Sequence, residues 1–576
     1  MKPAVTCLAN RRSATFRRSI IFSLTIWIGF VLAGCGSRPD PEPSSRESAR
    51  APSGSIELLF PYGSEKEKWI QDVTETFNRS RTKIASGKPI FVRPQSMGSG
   101  DAVTEILAGR LQAHIFSPAS AAFIKLGNAQ SRSSSGRDLV ASTDNLVLSP
   151  VVIAMWKPMA EAIGWGKKPV GWNEILSLAR NPKGWAAYDF PQWGQFKFGH
   201  THPQYSNSGL VSLLAEVYAS VGATKGLTAA DLQKPKTAEF VGAIQQSVVH
   251  YGASTGFFGR KMFDNGPQYL SAAILYESMV VESYSNANPT PLPVVAIYPR
   301  EGTFWSDHPI GIVEREWVTP EHREAAKLYI KFLLDRPQQE RSLQYGFRPA
   351  SVDIPIASPI DAAHGVDPRE PKTTLEVPPA DIIDGVLKLF ETQKKHSEVV
   401  LVMDISGSMN QERKLENAKI GAKQLVSLLG ESDSFSLLPF SSRMQWATQD
   451  VGLGRGRAGA VSQIDSLFAE GGTALYDAID QGYRHLAERS ATSRKIQAVV
   501  VLTDGADNES KIPLESLLSE IRFDGERKAI RVFTIAYGND ARKDILQRIA
   551  DATQARSYAG NTKNIVDVFR DISTFF

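Results

Sequence analysis

Apolar positions along the chain fall into three regimes. Residues 19–34, SIIFSLTIWIGFVLAG, form an unbroken apolar run directly after a basic stretch. From Ile56 to about Arg348, short β-like runs (IELLFPY, PIFVRP, NLVLSPVVIAMW, PLPVVAIYP) alternate with helical patterns such as SEKEKWIQDVTETFNRS and EHREAAKLYIKFLLD. That alternation predicts α/β layers. The last block, from about residue 380, is more regular. Its strands SEVVLVMDIS, DSFSLLPFS, KIQAVVVLTDG and AIRVFTIAYGN are almost continuously Val, Ile and Leu, and amphipathic helices such as QERKLENAKIGAKQLVSLLG and ARKDILQRIADAT stand between them. Strands of that kind belong in a sheet covered on both faces, so a doubly wound, mainly parallel sheet is expected, with ligands beyond the carboxyl ends of its strands. Two stretches, 35–54 and 349–379, are rich in proline and charge and weak in periodicity. The first predicts an unfolded tether, the second a junction packed between domains.

A length of 576 residues requires more than one core. The resulting division is 1–34 export signal, 35–54 tether, 55–348 first domain, 349–379 Pro-rich junction and 380–576 last domain. The formal charge of +4 comes from the leader: Lys2, Arg11, Arg12, Arg17 and Arg18 carry it, and 60 basic against 61 acidic residues remain once they are removed. Nothing in the mature chain then offers the positive field that nucleic acid demands. As a helix the run 19–34 spans about 24 Å, short of the roughly 30 Å hydrocarbon core. It ends Leu32-Ala33-Gly34-Cys35, which resembles the bacterial lipobox. That resemblance implies cleavage before Cys35 and lipidation of its thiol, giving a lipoprotein held to the cell envelope by lipid alone and facing the periplasm or exterior. An ordinary cleaved signal or an uncleaved anchor is the alternative. The other cysteine, Cys7, lies in the leader, so the mature chain has no thiol pair for a disulfide.

In the last block, Asp404-Ile405-Ser406-Gly407-Ser408 ends the first strand, Thr473 follows Gly471-Gly472, and Asp504 ends the strand VVVLTDG. This arrangement resembles the metal-ion-dependent adhesion site (MIDAS) of von Willebrand factor A (VWA) domains, over roughly residues 380–576. The resemblance implies that Asp404, Ser406, Ser408, Thr473 and Asp504 hold Mg²⁺ (or Mn²⁺ or Ca²⁺), and that a protein partner supplies an acidic side chain to the ion. Such chemistry suits the residue types: a hard cation prefers oxygen donors, and neutral hydroxyls leave it electrophilic. The alternative is a fold that has lost its metal, with Asp404 as a helix cap. In an empty site Asp404 and Asp504 are expected to repel each other. A haloacid-dehalogenase-type phosphatase would need a second acid two residues after the first, where Ser406 stands, so proton transfer has no agent. Asp507 and Asn508 are either supporting hydrogen-bonders or turn formers.

Residues 56–348 resemble a type II extracellular solute-binding protein, through the opening strand, GSGDAVTEILAGRLQAHIFSPAS and FGHTHPQYSNSGL. A two-lobed, periplasmic-binding-protein-like domain is therefore expected, with Ser99, Ser117, Ser206 and Ser208 lining a ligand cleft. Physically, serines at helix starts present hydroxyls and free N–H groups to a polar ligand; each is equally well an ordinary cap. His200 and His202 share a strand face but find no third ligand, which favours a structural role. Tyr298, Trp305 and Trp317 either line a sugar or peptide cleft or pack in the core. No Gly-x-Ser-x-Gly or His-Glu-x-x-His motif occurs, which disfavours a hydrolase. The reading is a non-enzymatic, periplasmic membrane-anchored binding protein joining recognition of a small polar solute or peptide to metal-dependent protein binding. Its alternative is a receptor that hands solute to a separate ABC-type permease.

Overall fold

The computed structural model describes residues 51–285, 290–490, 493, 495–522 and 530–576. The leader, Cys35 and most of the tether lie outside the described residues. Residues 51–576 form one compact unit, of mixed α/β architecture, in which the two resembled folds are both present.

The first domain has two lobes. In the first lobe the strand Ile56–Gly63 runs parallel to Ile90–Met97, and Ile115–Phe116, Pro309–Ile312 and Asp144–Asn145 make a small antiparallel sheet. Helices Glu67–Ser80 and Pro320–Leu334 close it, bringing Phe77 to 4.9 Å from Tyr329, whose hydroxyl lies 2.6 Å from Thr74 Oγ1. The second lobe is built on the long strand Val147–Trp156, buried along almost its whole length. It pairs antiparallel with Ala272–Tyr276 and Val294–Ile297, and the sheet continues through Phe198–Thr201 to Val248–Gly252. Trp156, Trp172 and Trp185 fill its core. The chain passes between the lobes at residues 145–147 and 306–309, where strands of one sheet run straight into strands of the other.

The last domain is a six-stranded sheet in the order Thr448–Gly452, Ser434–Phe440, Ser397–Asp404, Ile496–Thr503, Arg531–Tyr537, Ser557–Gly560. All neighbours are parallel except the first edge strand, which is antiparallel. Counted along the chain this order is 3-2-1-4-5-6, so the winding reverses between the first and fourth strands, the crevice where such sheets bind ligands. One expected helix differs in extent. The pattern QERKLENAKIGAKQLVSLLG predicts a helix from about Gln411, but it begins at Lys414, because Glu412 and Arg413 take left-handed φ values of 50° and 57°.

Between the domains, residues 349–379 lie along the second lobe, burying Ile354, Ile360, Val366 and Leu375. Helix Ala380–Gln393 follows. Its apolar residues Ile382, Ile383, Val386 and Phe390 face one way, and the helix packs on Ala121–Ser135 of the first lobe and on Asn207–Val221 and Pro235–Gln245 of the second. Among the described residues no helix is long and apolar enough to cross a membrane.

Candidate metal centre and inter-lobe seam

Two strand ends and two loops meet at the winding reversal. Asp404 closes the first strand and is fully buried; Asp504 follows the neighbouring fourth strand and is equally buried. The turn after Asp404 is held by Ser406 N donating to Asp404 Oδ1 at 2.8 Å. It is also held by Gly407 N donating to Gly471 O at 3.0 Å, which brings in the Gly-Gly-Thr loop. The hydroxyls form a chain: Ser406 Oγ lies 3.0 Å from Ser408 Oγ, and Ser408 donates to Asp504 Oδ1 at 2.6 Å. Thr473 is 4% exposed, and among the described residues its hydroxyl has no hydrogen-bond partner. Asn508 and Asp507 position that loop: Asn508 Oδ1 accepts from Thr473 N at 2.8 Å, and Asp507 Oδ1 accepts from Leu475 N at 2.9 Å. They are supports of the Thr473 loop as well as turn formers.

All five sequence candidates therefore gather at one crevice. Two carboxylates and three hydroxyls are an all-oxygen donor set, which suits a hard divalent ion. Burial pushes the Asp404 carboxyl above the usual range; hydrogen bonds from Ser406 and Thr503 oppose that, and Asp504 adds to it. One neighbour is absent from the sequence reading. Lys414 Nζ donates to Asp504 Oδ2 at 2.7 Å, both side chains being buried. The left-handed pair Glu412-Arg413 sets the helix start that carries Lys414 to this position. The expected repulsion between two bare acids is thus tempered by an internal counter-ion, and no spacing rule in the sequence marks it.

The four serines of the first domain also converge, at the seam between the lobes. Ser99 Oγ accepts from Ala119 N at 3.0 Å. Ser117 is fully buried and its hydroxyl has no partner among the described residues. On the second-lobe side of the seam, Thr255 Oγ1 lies 3.1 Å from Ser206 Oγ and donates to Ser208 Oγ at 3.0 Å. The lobes touch directly: Ser120 donates to Asn207 Oδ1 at 2.5 Å, Gly256 N to Ser64 Oγ at 3.1 Å, and Gly100 N to Tyr205 O at 2.9 Å. A Cβ on Gly100 would lie 1.9 Å from Gln204 O, so only glycine allows this approach.

Beside Ser117, Lys66 Nζ donates to Glu65 Oε1 at 2.8 Å and lies 3.1 Å from His308 Nδ1. Burial opposes ionisation of Glu65, but Lys66 and His308 hold its carboxyl down to about 2. Burial, and then Lys66, push His308 down to about 4, so it is neutral at pH 7, with Nε2 unpartnered among the described residues. Lys66, Asn207, Thr255 and His308 escaped sequence reasoning. The Gly63-Ser64 step before a helix repeats the signal of the other loops; His308 carries none.

His200 and His202 are buried packing residues. His200 Nε2 lies 3.1 Å from Gln245 Oε1, and both imidazoles, pushed down by burial, surround Phe390 with Tyr251. Among the described residues no cluster of three or more His, Cys, Asp or Glu side chains is placed to hold a metal. Tyr298 donates to Glu277 and Trp317 Nε1 to Ala113 O at 2.9 Å, while Trp305 lies under Arg348, 5.1 Å away. These aromatics do not share a cleft.

A family model of bacterial extracellular solute-binding proteins matches residues 59–348, and one of von Willebrand factor type A domains matches residues 398–571. The chain belongs to the bacterial extracellular solute-binding family, with a VWA domain fused behind. An uncharacterized protein of Synechocystis sp. is 29% identical over 177 residues, 30% of this chain; the chain spans 40% of that relative's length. Among solved structures, the periplasmic binding protein P5PA is 13% identical, covering 59% of this chain and 99% of its own, with a TM-score of 0.41. A VWA protein from Catenulispora acidiphila is 22% identical, covering 31% of this chain and 42% of its own, with a TM-score of 0.28. The solute-binding and VWA domains together make a binding protein with a protein-interaction module, and both domain classes are generally non-catalytic.

Proposed function

We propose that this protein is an extracytoplasmic, lipid-anchored binding protein whose VWA domain takes up a divalent ion, Mg²⁺ foremost, to capture an acidic side chain of a protein partner. The observation that carries this is the gathering of Asp404, Ser406, Ser408, Thr473 and Asp504 at the winding reversal of the sheet. A bound divalent ion would supply an electrophilic centre with a position left for the partner's carboxylate. Asp404 and Asp504 balance its charge. Ser406, Ser408 and Thr473 add neutral oxygens without quenching it, and Asn508 and Asp507 keep Thr473 in place. Lys414, which donates to Asp504, would share that carboxylate with a bound ion.

The solute-binding domain holds a small polar solute or peptide at the seam lined by Ser99, Ser117, Ser206 and Ser208. When the hinge at 145–147 and 306–309 opens, ligand groups replace the Ser120–Asn207 contact and meet the unpartnered Ser117 hydroxyl. The anchor is the lipid on Cys35; Cys35→Ser should release the protein from membranes, and retention after a carbonate wash would rule lipid anchoring out.

Calorimetric titration of residues 51–576 with Mg²⁺ and Mn²⁺ tests the metal reading. Heat and a melting shift that Asp404→Ala abolishes are expected. Absence of both at millimolar ion would overturn the adhesion-type mechanism.

A further inference from the structure

Where the VWA domain rests on the second lobe, the two surfaces enclose a cavity of about 450 Å³. Its walls come from both sides. Phe257, Lys261 and Tyr269 belong to the solute-binding domain, Arg531 and Arg556 to the VWA domain, and Lys395 to the segment joining them. Lys495 also lines it, 3.8 Å from Glu398. Among the described residues five basic side chains thus face one space, and Asp551 is the one acidic residue of the lining.

Among the described residues no carboxylate lies within 4.0 Å of Lys261, Lys395 or Arg556. Lys395 Nζ donates to the carbonyl of Val248 at 3.2 Å, and Arg531 to the carbonyl of Thr553. The Arg556 guanidinium lies between two ring faces, 4.5 Å from Phe257 and 4.6 Å from Tyr558, which hold it in position over the space. Asp264 and Asp551 act on Lys261 only at longer range. Burial pushes Lys261, Lys395 and Arg531 all below their ordinary values. Gathering like charges in a half-enclosed space costs free energy, which Asp264, Asp551 and Asp571 offset only from beyond ion-pair distance and Glu398 only at Lys495. A guest of opposite charge would offset it. The volume suits a small organic molecule, and the aromatic walls suit one with an apolar or planar body.

We propose that this inter-domain cavity binds a small multivalent oxyanion, a phosphate ester or a polycarboxylate, and that the guest fastens the VWA domain to the solute-binding domain. The site is separate from the metal centre and from the inter-lobe seam and does not depend on either reading. Because its cations come from both domains and the segment between them, only the docked arrangement presents them together.

The test is calorimetry and thermal melting of residues 51–576 with inorganic pyrophosphate and, separately, citrate. EDTA is present to remove divalent ions, and ionic strength is matched with sodium chloride. Saturable one-to-one binding and a melting shift are expected from at least one probe, and which one distinguishes phosphate from carboxylate chemistry. Lys261→Met and Arg556→Met should each weaken that binding about tenfold or more, the worth of one charge-assisted hydrogen bond, and Lys261→Met should melt higher than the parent without ligand. Lys395→Met serves if Arg556→Met does not fold. If neither probe exceeds the chloride control, or if binding is unchanged in these variants, the proposal is wrong.

Discussion

The Lys414 ammonium stands 2.7 Å from Asp504 Oδ2 at a site where both side chains are buried. The acid that closes the candidate metal centre therefore has a counter-ion of its own, delivered by Lys414, the first residue of a helix. A divalent ion bound at this crevice would compete with that ammonium for one carboxylate.

Lys414→Met should leave Asp504 buried beside Asp404 without compensation. Removing one partner of a buried pair costs about 3–5 kcal/mol, so the variant should melt well below the parent in EDTA. In millimolar Mg²⁺ most of that loss should return, since the ion replaces the missing charge. Differential scanning calorimetry with and without Mg²⁺ reads both effects; equal losses in the two conditions would show that Lys414 and the ion do not share Asp504.

Thr473 makes its hydrogen bonds to the support loop through its backbone, and among the described residues its hydroxyl has no partner. Thr473→Ala should lower Mg²⁺ affinity while changing the melting temperature in EDTA by little, since no side-chain hydrogen bond is lost. A titration showing unchanged Mg²⁺ affinity would remove Thr473 from the donor set.

Gly100 lies where the lobes touch. Gly100→Ala places a methyl group 1.9 Å from Gln204 O, a distance no repacking of side chains relieves, because the opposing atom is backbone. The lobes should separate at that point, with a larger radius of gyration by small-angle scattering and a lower melting temperature. An unchanged radius would mean that the seam closes by another contact.

Glu216 is fully buried, accepting from Ser212 at 3.1 Å and from Gln245 at 3.1 and 3.3 Å. Burial raises its carboxyl to about 8, against those hydrogen bonds. The folded state therefore holds a proton that the unfolded chain releases near its ordinary value of 4.5. This contribution to stability is complete below that value and is lost as pH rises towards 8, at about 1.4 kcal/mol per pH unit at most. Glu216→Gln should flatten that part of the profile and be more stable than the parent at pH 9. Parallel profiles from pH 5 to 9 would contradict this.

Periodicity and motif order make the VWA domain legible in the sequence. Buried strands read as Val/Ile/Leu runs, and Asp404, Ser406, Ser408, Thr473 and Asp504 fall at loop positions that a doubly wound sheet must place at one edge. Lys414 was hidden for a specific reason. Its reach depends on two consecutive non-glycine residues, Glu412 and Arg413, in left-handed conformation, and such turns have no signature in residue type. In the solute-binding half the serine loops were visible as helix starts. The Ser120–Asn207 contact is not, because contacts across a seam depend on lobe closure and not on local pattern; nor are Thr255, which meets Ser206 and Ser208 within the second lobe, and His308, which meets Lys66 and Glu65. Likewise the apolar face of Ala380–Gln393 announces that the helix is covered, without naming what covers it.

That helix bears on how the chain can be cut. Phe390 sits 5.3 Å from His202 and 5.3 Å from Tyr251, in the second lobe, although it lies beyond residue 348 and before residue 398, between the two matched segments. A solute-binding fragment ended at 348 would carry an open aromatic socket, and a longer VWA fragment begun at 380 would carry the plug with nothing to fill. An expression plasmid that divides the gene at residue 348 would yield sticky, aggregation-prone halves, whereas a cut just after Gln393 leaves plug and socket in the same polypeptide.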